Sequence, residues 1–119
     1  MSTAIRRKDD IIILEPAGKI IGEAIPELRE VLITQIDKSK RPRILINLKR
    51  VHKMDSAGLG TFIVVYNMVR AKGGRIAIIN VGKHIKNLIV QSRLINIFEH
   101  FSTEDAAIKA FSNTYLKNY

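Results

Sequence analysis

This sequence predicts a small α/β domain, a mixed sheet of about four strands with helices packed against it. Three observations predict it. The aliphatic runs "IIILEPA", "RILINL" and "RIAIINV" have the length of strands. Between them lie longer segments whose apolar residues recur at helical spacing. Gly73-Gly74 closes the longest of these directly before a strand, which makes a strand, helix, strand unit and a right-handed parallel crossover. A chain of 119 residues supports one domain with one core, spanning residues 1–119, and is too short for two. Hydrophobic residues make up 46% of it, enough to favour a globular fold over disorder. Trp is absent and aromatics are few, so the core is expected to be aliphatic.

Taken in order, "TAIRRK" and "IIILEPA" (Ile11 to Ala17) flank Asp9-Asp10 and read as a hairpin. Past Gly18 and Gly22 the period changes. Ile25, Leu28, Leu32 and Ile36 recur as one helical face, with Pro26 and Glu27 suited to the first turn. Pro42 discourages the helix from continuing beyond "DKSKRP". "RILINL" (Arg43 to Leu48) and "RIAIINV" (Arg75 to Val81) are continuous aliphatic runs, the pattern of strands covered on both faces. "AGLGTFIVVYNMVRAK" between them is a helix. "GKHIKNLIVQSRL" is another, with Ile85, Leu88, Ile89 and Ser92 on one side. The last, "STEDAAIKAFSNTYL", opens with a cap at Ser102, or alternatively Thr103, and carries Ala107, Ile108, Phe111 and Tyr115 on its apolar face. That makes four helices.

Composition excludes several classes of function. With no cysteine there is no disulfide, thiol catalysis or thiolate-bound metal, and the usage fits a reducing cytoplasm. "MSTAIRRKDD" lacks the apolar core of a signal peptide, and no apolar run approaches the roughly 20 residues that span a bilayer, so membrane insertion is not expected. The net charge is +9, much of it within "DKSKRPRILINLKRVHK". A solvated set of loop and helix-end cations is the first reading of this charge, and a surface facing an acidic partner the second. Specific nucleic-acid readout is not expected, because zinc-finger spacing, RNP-like aromatics and a recognition helix are all missing. No enzyme is expected either. Ser56 lacks the G-x-S-x-G setting of a nucleophile elbow, and His52, four residues upstream, is no evidence of a base. His84 and His100 show no metal spacing, "GKH" at Gly82 lacks the rest of a phosphate loop, and no cofactor is implied.

The segment "HKMDSAGLGTF" crowds Asp55, Ser56, Ala57, Gly58 and Gly60 at a helix start, just after the strand "RILINL". Ser56 or Asp55 can cap that helix. Each glycine costs a helix roughly 1 kcal/mol relative to Ala, so two in the first turn suggest close approach by a partner or by a neighbouring helix. These residues alone leave capping with packing level with a recognition site. The helix is apolar nearly all round. Leu59, Phe62, Ile63, Tyr66 and Val69 form the expected core stripe, while Thr61, Val64, Val65 and Met68 lie off it and suggest a docking face.

The stretch "MDSAGLGTF", with "ILINLKRV" before it and "GGRIAIINV" after it, resembles the STAS-domain family, and within it the bacterial anti-sigma factor antagonists. The resemblance runs over roughly residues 3 to 111. It implies a protein that binds an anti-sigma factor which is also a serine kinase and so releases the sigma factor. Phosphorylation of Ser56 would end the interaction, and a phosphatase would restore it. The partner surface this implies comprises Asp55, Ser56, Ala57, Gly58, Gly60, Thr61, Val64 and Met68. The sequence departs from the family pattern in three ways. Ala57 stands where some members carry a second hydroxyl. Ile21, in "GKIIG", stands where an acid is frequent, with Glu23 nearby. The +9 charge contrasts with the many acidic antagonists. The alternative reading is a non-enzymatic interaction subunit of a signalling or membrane transport complex, without phospho-control. Neither reading specifies an oligomeric state.

Overall fold

The computed structural model describes residues 2–92 and 98–112. Strands β1 (Ser2–Lys8) and β2 (Ile11–Ile20) form the expected antiparallel hairpin. Lys8 lies opposite Ile11, so Asp9 and Asp10 alone make the turn, with φ of 51° and 67°. Positive φ at both central positions matches the twist of the flanking strands, and Asp tolerates it better than bulkier residues. β2 runs past the expected end at Ala17, through an irregularity between Gly18 and Lys19.

β3 (Arg43–Asn47) and β5 (Arg75–Ile79) pair in parallel over their full length, Arg43 beside Arg75 and Asn47 beside Ile79. Among the described residues two further strands raise the total to six, where the sequence predicts about four. β4 (Val51–Met54) lies between β3 and the next helix and pairs with Gly18–Ile20 of β2; β6 (Glu99–Phe101) pairs with β5. The sheet order is β1-β2-β3-β5-β6, with β4 taking over along β2 beyond β3. Among the described strands only β1 runs antiparallel to its neighbour.

Alternation on the central strands divides the core in two. Ile12, Leu14, Ile44, Ile46, Ile76 and Ile78 face α1 (Ala24–Asp37), α2 (Ser56–Ala71) and α3 (Lys83–Gln91). Ile11, Ile13, Leu45, Ala77 and Ile79 face α4 (Glu104–Ser112). Both faces are covered, which is why these strands read as unbroken aliphatic runs. Each fully buried Ile or Leu contributes about 1.5–3 kcal/mol of hydrophobic stabilisation before the cost of ordering the chain.

The four helices among the described residues correspond to the four expected from the sequence. Leu28, Leu32 and Ile36 of α1 are fully buried, as their period predicts. In α3, Ile85 and Ile89 are buried and Ser92 is the C-terminal cap; the part of that helix expected to reach Leu94 lies outside the described residues, as does Tyr115. Thr103, the alternative to Ser102, caps α4, its Oγ1 accepting from the Ala106 amide at 3.1 Å. Two cations fasten the elements. Lys72, just past α2, donates to the carbonyls of Ile36 and Ser39 at 3.0 and 3.1 Å and so satisfies the C-terminal end of α1. Arg75 donates to Glu99 of β6 and to the Ala110 carbonyl of α4, and its guanidinium lies 4.8 Å from the centre of the Phe111 ring. Its hydrogen bond to Glu99 raises its pKa above the ordinary value, against partial burial.

Candidate functional site

The start of α2 lies at the end of the sheet where β2 and β4 finish. It follows β4 rather than β3, so the expectation of a strand "RILINL" leading straight into the helix is corrected by one short strand. β4 forms because Val51 and Met54 turn inward and pair with the tail of β2, while His52 and Lys53 stay exposed.

Asp55 is the helix cap. Its backbone is extended (φ −106°, ψ −177°), its Oδ1 accepts from the Gly58 amide at 2.9 Å, and its carbonyl accepts from the Leu59 amide at 3.0 Å. This resolves the choice between Asp55 and Ser56. Ser56 is the first helical residue; it is exposed, and among the described residues its hydroxyl has no hydrogen-bond partner. The amides of Ser56 and Ala57 are in the first turn, where no intrahelical acceptor exists, and the helix dipole is positive there.

The two glycines differ. A Cβ on Gly58 would lie 2.7 Å from the Ile20 carbonyl oxygen and 2.8 Å from Met54 Cγ, so this glycine lets α2 rest directly on the ends of β2 and β4. A Cβ on Gly60 would meet nothing within 4 Å. Gly58 is therefore accounted for by packing within the chain, and Gly60 is not.

The rest of the helix is turned relative to the stripe read from sequence. Thr61 is buried, its hydroxyl 3.4 Å from the Ala57 carbonyl, and Val65 is fully buried, although both were expected off the core stripe. Ile63 and Tyr66, expected inside, are half-buried. Met68 is half-buried and packs against the core, and Val64 is exposed. The outward surface of α2 thus runs through Ser56, Ala57, Gly60, Val64 and Asn67. Asn67 continues the helical spacing of Gly60 and Val64 and could have been found by that signal. Of the residues singled out from sequence, Asp55, Ser56, Ala57, Gly60 and Val64 share this surface, Met68 borders it, and Gly58 and Thr61 face inward.

Ile21, between buried Ile20 and the positive-φ Gly22, adjoins the Gly58 contact, and Glu23 is exposed at the start of α1. Among the described residues no group of three His, Cys, Asp or Glu side chains is placed to hold a metal ion, and no helix is long and apolar enough to cross a membrane.

A mixed sheet opened by a hairpin, helices on both faces and a bare hydroxyl at the start of the crossover helix define a STAS-type domain. The family model for the STAS domain matches residues 2–107, and the chain belongs to that family. Among its relatives, the anti-sigma-B factor antagonist of Bacillus subtilis (strain 168) is 28% identical over 105 residues, covering 88% of this chain and 94% of that one. The anti-sigma F factor antagonist of Paenibacillus polymyxa is 26% identical over 98 residues, covering 82% and 84%. In fold, the chain superposes on the anti-sigma factor antagonist SpoIIAA in its unphosphorylated form with a TM-score of 0.81 at 20% identity, covering 94% of this chain and 97% of that one. The phosphorylated form of SpoIIAA, from Bacillus, gives 0.70 at 20% identity, covering 92% and 98%.

Proposed function

We propose that this protein is an anti-sigma factor antagonist. It binds an anti-sigma factor that is also a serine kinase through the outward surface of α2, and binding releases the sigma factor. Phosphorylation of Ser56 switches binding off, and a phosphatase restores it. On this reading the protein acts in the cytoplasm, as a binding module rather than an enzyme.

One observation carries the reading. Asp55 caps α2, which leaves the Ser56 hydroxyl exposed and, among the described residues, unengaged at the head of a surface that continues through Ala57 and Gly60. A phosphoryl group there adds roughly −1.5 to −2 charge. The unfilled amides and the dipole of α2 accommodate that charge within the folded chain. A partner closing over Ala57, Gly60 and Val64 would have to desolvate it, so one modification leaves the fold intact and ends the complex. The relatives named as antagonists support the same reading.

A second reading is favoured by Ile21, which puts an aliphatic side chain where the family frequently has an acid. There the same surface docks a partner without phospho-control, as a subunit of a signalling or transport assembly. Affinity purification from the native cell, with phosphosite mass spectrometry, separates the two. An anti-sigma factor kinase together with phospho-Ser56 is expected. A stable partner that binds wild type and Ser56→Asp equally removes the switch.

A further inference from the structure

The +9 charge is not spread evenly over the molecule. A cavity of about 870 Å³ opens where β3 and β5 begin and α1 and α2 end, at the opposite pole from Ser56. Its lining holds Arg7, Lys38, Lys40, Arg41, Arg43, Arg70 and Arg75 against Asp10 and Glu99. These are seven of the chain's 20 Lys and Arg residues with two of its 11 Asp and Glu residues, so the wall carries a large share of the excess charge.

Ordinary structural roles explain part of this set. Arg75 is engaged with Glu99, and Lys38 and Arg70 suit the negative ends of α1 and α2. The carbonyls at the end of α1, however, are already served by Lys72. Arg7 on β1 and Lys40 and Arg41 in the loop after α1 belong to no helix. Among the described residues Arg7, Lys38, Lys40, Arg41 and Arg70 have no carboxylate partner. Holding like charges around one concavity is unfavourable until an anion enters.

We propose that this cavity binds a small anion carrying several phosphates, such as a polyphosphate chain or a polyphosphorylated metabolite. Its volume falls within the range of small-ligand sites, roughly 300–1,000 Å³. The cations converge from β1, the loop after α1, the end of α2 and the start of β5, whereas a nucleic-acid backbone would need an extended stripe. Among the described residues no aromatic side chain lines the cavity, so none of them offers single-stranded bases a ring to stack on. The amides of Gly73, Gly74 and Arg75 are bonded to Arg70, Val69 and Pro42, so arginine and lysine side chains, with the Ser39 hydroxyl, do the holding. This site is separate from the surface assigned to the anti-sigma factor and stands whether or not that assignment does.

Titration calorimetry with inorganic tripolyphosphate, orthophosphate and sulfate at matched ionic strength tests the proposal. One saturable site is expected for tripolyphosphate, about tenfold tighter than for either of the others, weakening as salt rises. Arg41→Glu/Arg70→Glu is expected to weaken it about tenfold or more, and Arg41→Gln/Arg70→Gln, which carries less risk to folding, several-fold. Lys86→Glu, an exposed charge reversal on α3 away from the cavity, should change it less than twofold. Tripolyphosphate binding no tighter than sulfate overturns the proposal, as does an equal loss in Lys86→Glu, which would reduce the effect to net charge. Tighter binding of a duplex oligonucleotide at the same salt also overturns it, in favour of a nucleic-acid surface.

Discussion

The two ends of α2 are built in opposite ways. At its start the outward side chains are Ser56, Ala57 and Gly60, small and uncharged, and the helix itself supplies the positive potential through unfilled amides. At its finish Arg70 lies in the last turn, at the negative end of the helix, and is one of the cations around the basic cavity. The 16 residues of α2 separate the two ends by roughly 24 Å. The start suits a neutral partner surface that a single phosphate can expel. The finish suits a permanent anion. One helix dipole, with different side chains at each end, permits both.

Glycine sharpens this comparison, because each end holds one that is structurally required. A Cβ on Gly74 would lie 2.2 Å from the Pro42 carbonyl oxygen, closer than any tolerated contact. Gly74→Ala is expected to have the largest effect, a loss of about 3 kcal/mol in chemical denaturation. Gly58→Ala, with its 2.7 Å approach to the Ile20 carbonyl, should lose about 2 kcal/mol. A Gly58→Ala protein as stable as wild type would mean that α2 does not rest on β2 as described. Asp55→Ala removes the cap and is expected to cost about 1 kcal/mol of stability. Gly60→Ala has the opposite sign. With open space around it, the new methyl should raise stability by up to about 1 kcal/mol while weakening capture of the partner. The smallest stability changes belong to Val64→Glu and Ser56→Asp, each within about 0.5 kcal/mol, with loss of partner binding as their readout. If Val64→Glu instead unfolds the chain, the outward surface of α2 is wrongly placed.

Much of the fold was legible in the sequence, and the reason differs by element. The hairpin, β3, β5 and the four helices carry their own signals: unbroken aliphatic runs, a 3.6-residue period, Asp9-Asp10 at the turn and Gly73-Gly74 at a helix end. β4 and β6 do not. "VHKM" and "EHF" are short and half polar, and each becomes a strand because a neighbour offers an edge to pair with. The site was legible as a segment but not as a surface. An apolar helix has no preferred side until α1 and the sheet take theirs, so Thr61 and Val65 turned inward while Ile63 and Tyr66 stayed half-exposed.

The amino-acid order by itself determined the types of all the elements but β4 and β6, the aliphatic core and the position of a lone hydroxyl at a helix start, because these follow from local periodicity and capping chemistry. Tertiary structure decided three further points. Asp55 rather than Ser56 became the cap, Gly58 became a packing requirement while Gly60 stayed open, and cations distant in sequence gathered at one pole. Each depends on which backbone lies within a few ångströms, and that is set only when β2, β4 and α2 come together at one end and β1, β3, β5 and the ends of α1 and α2 at the other.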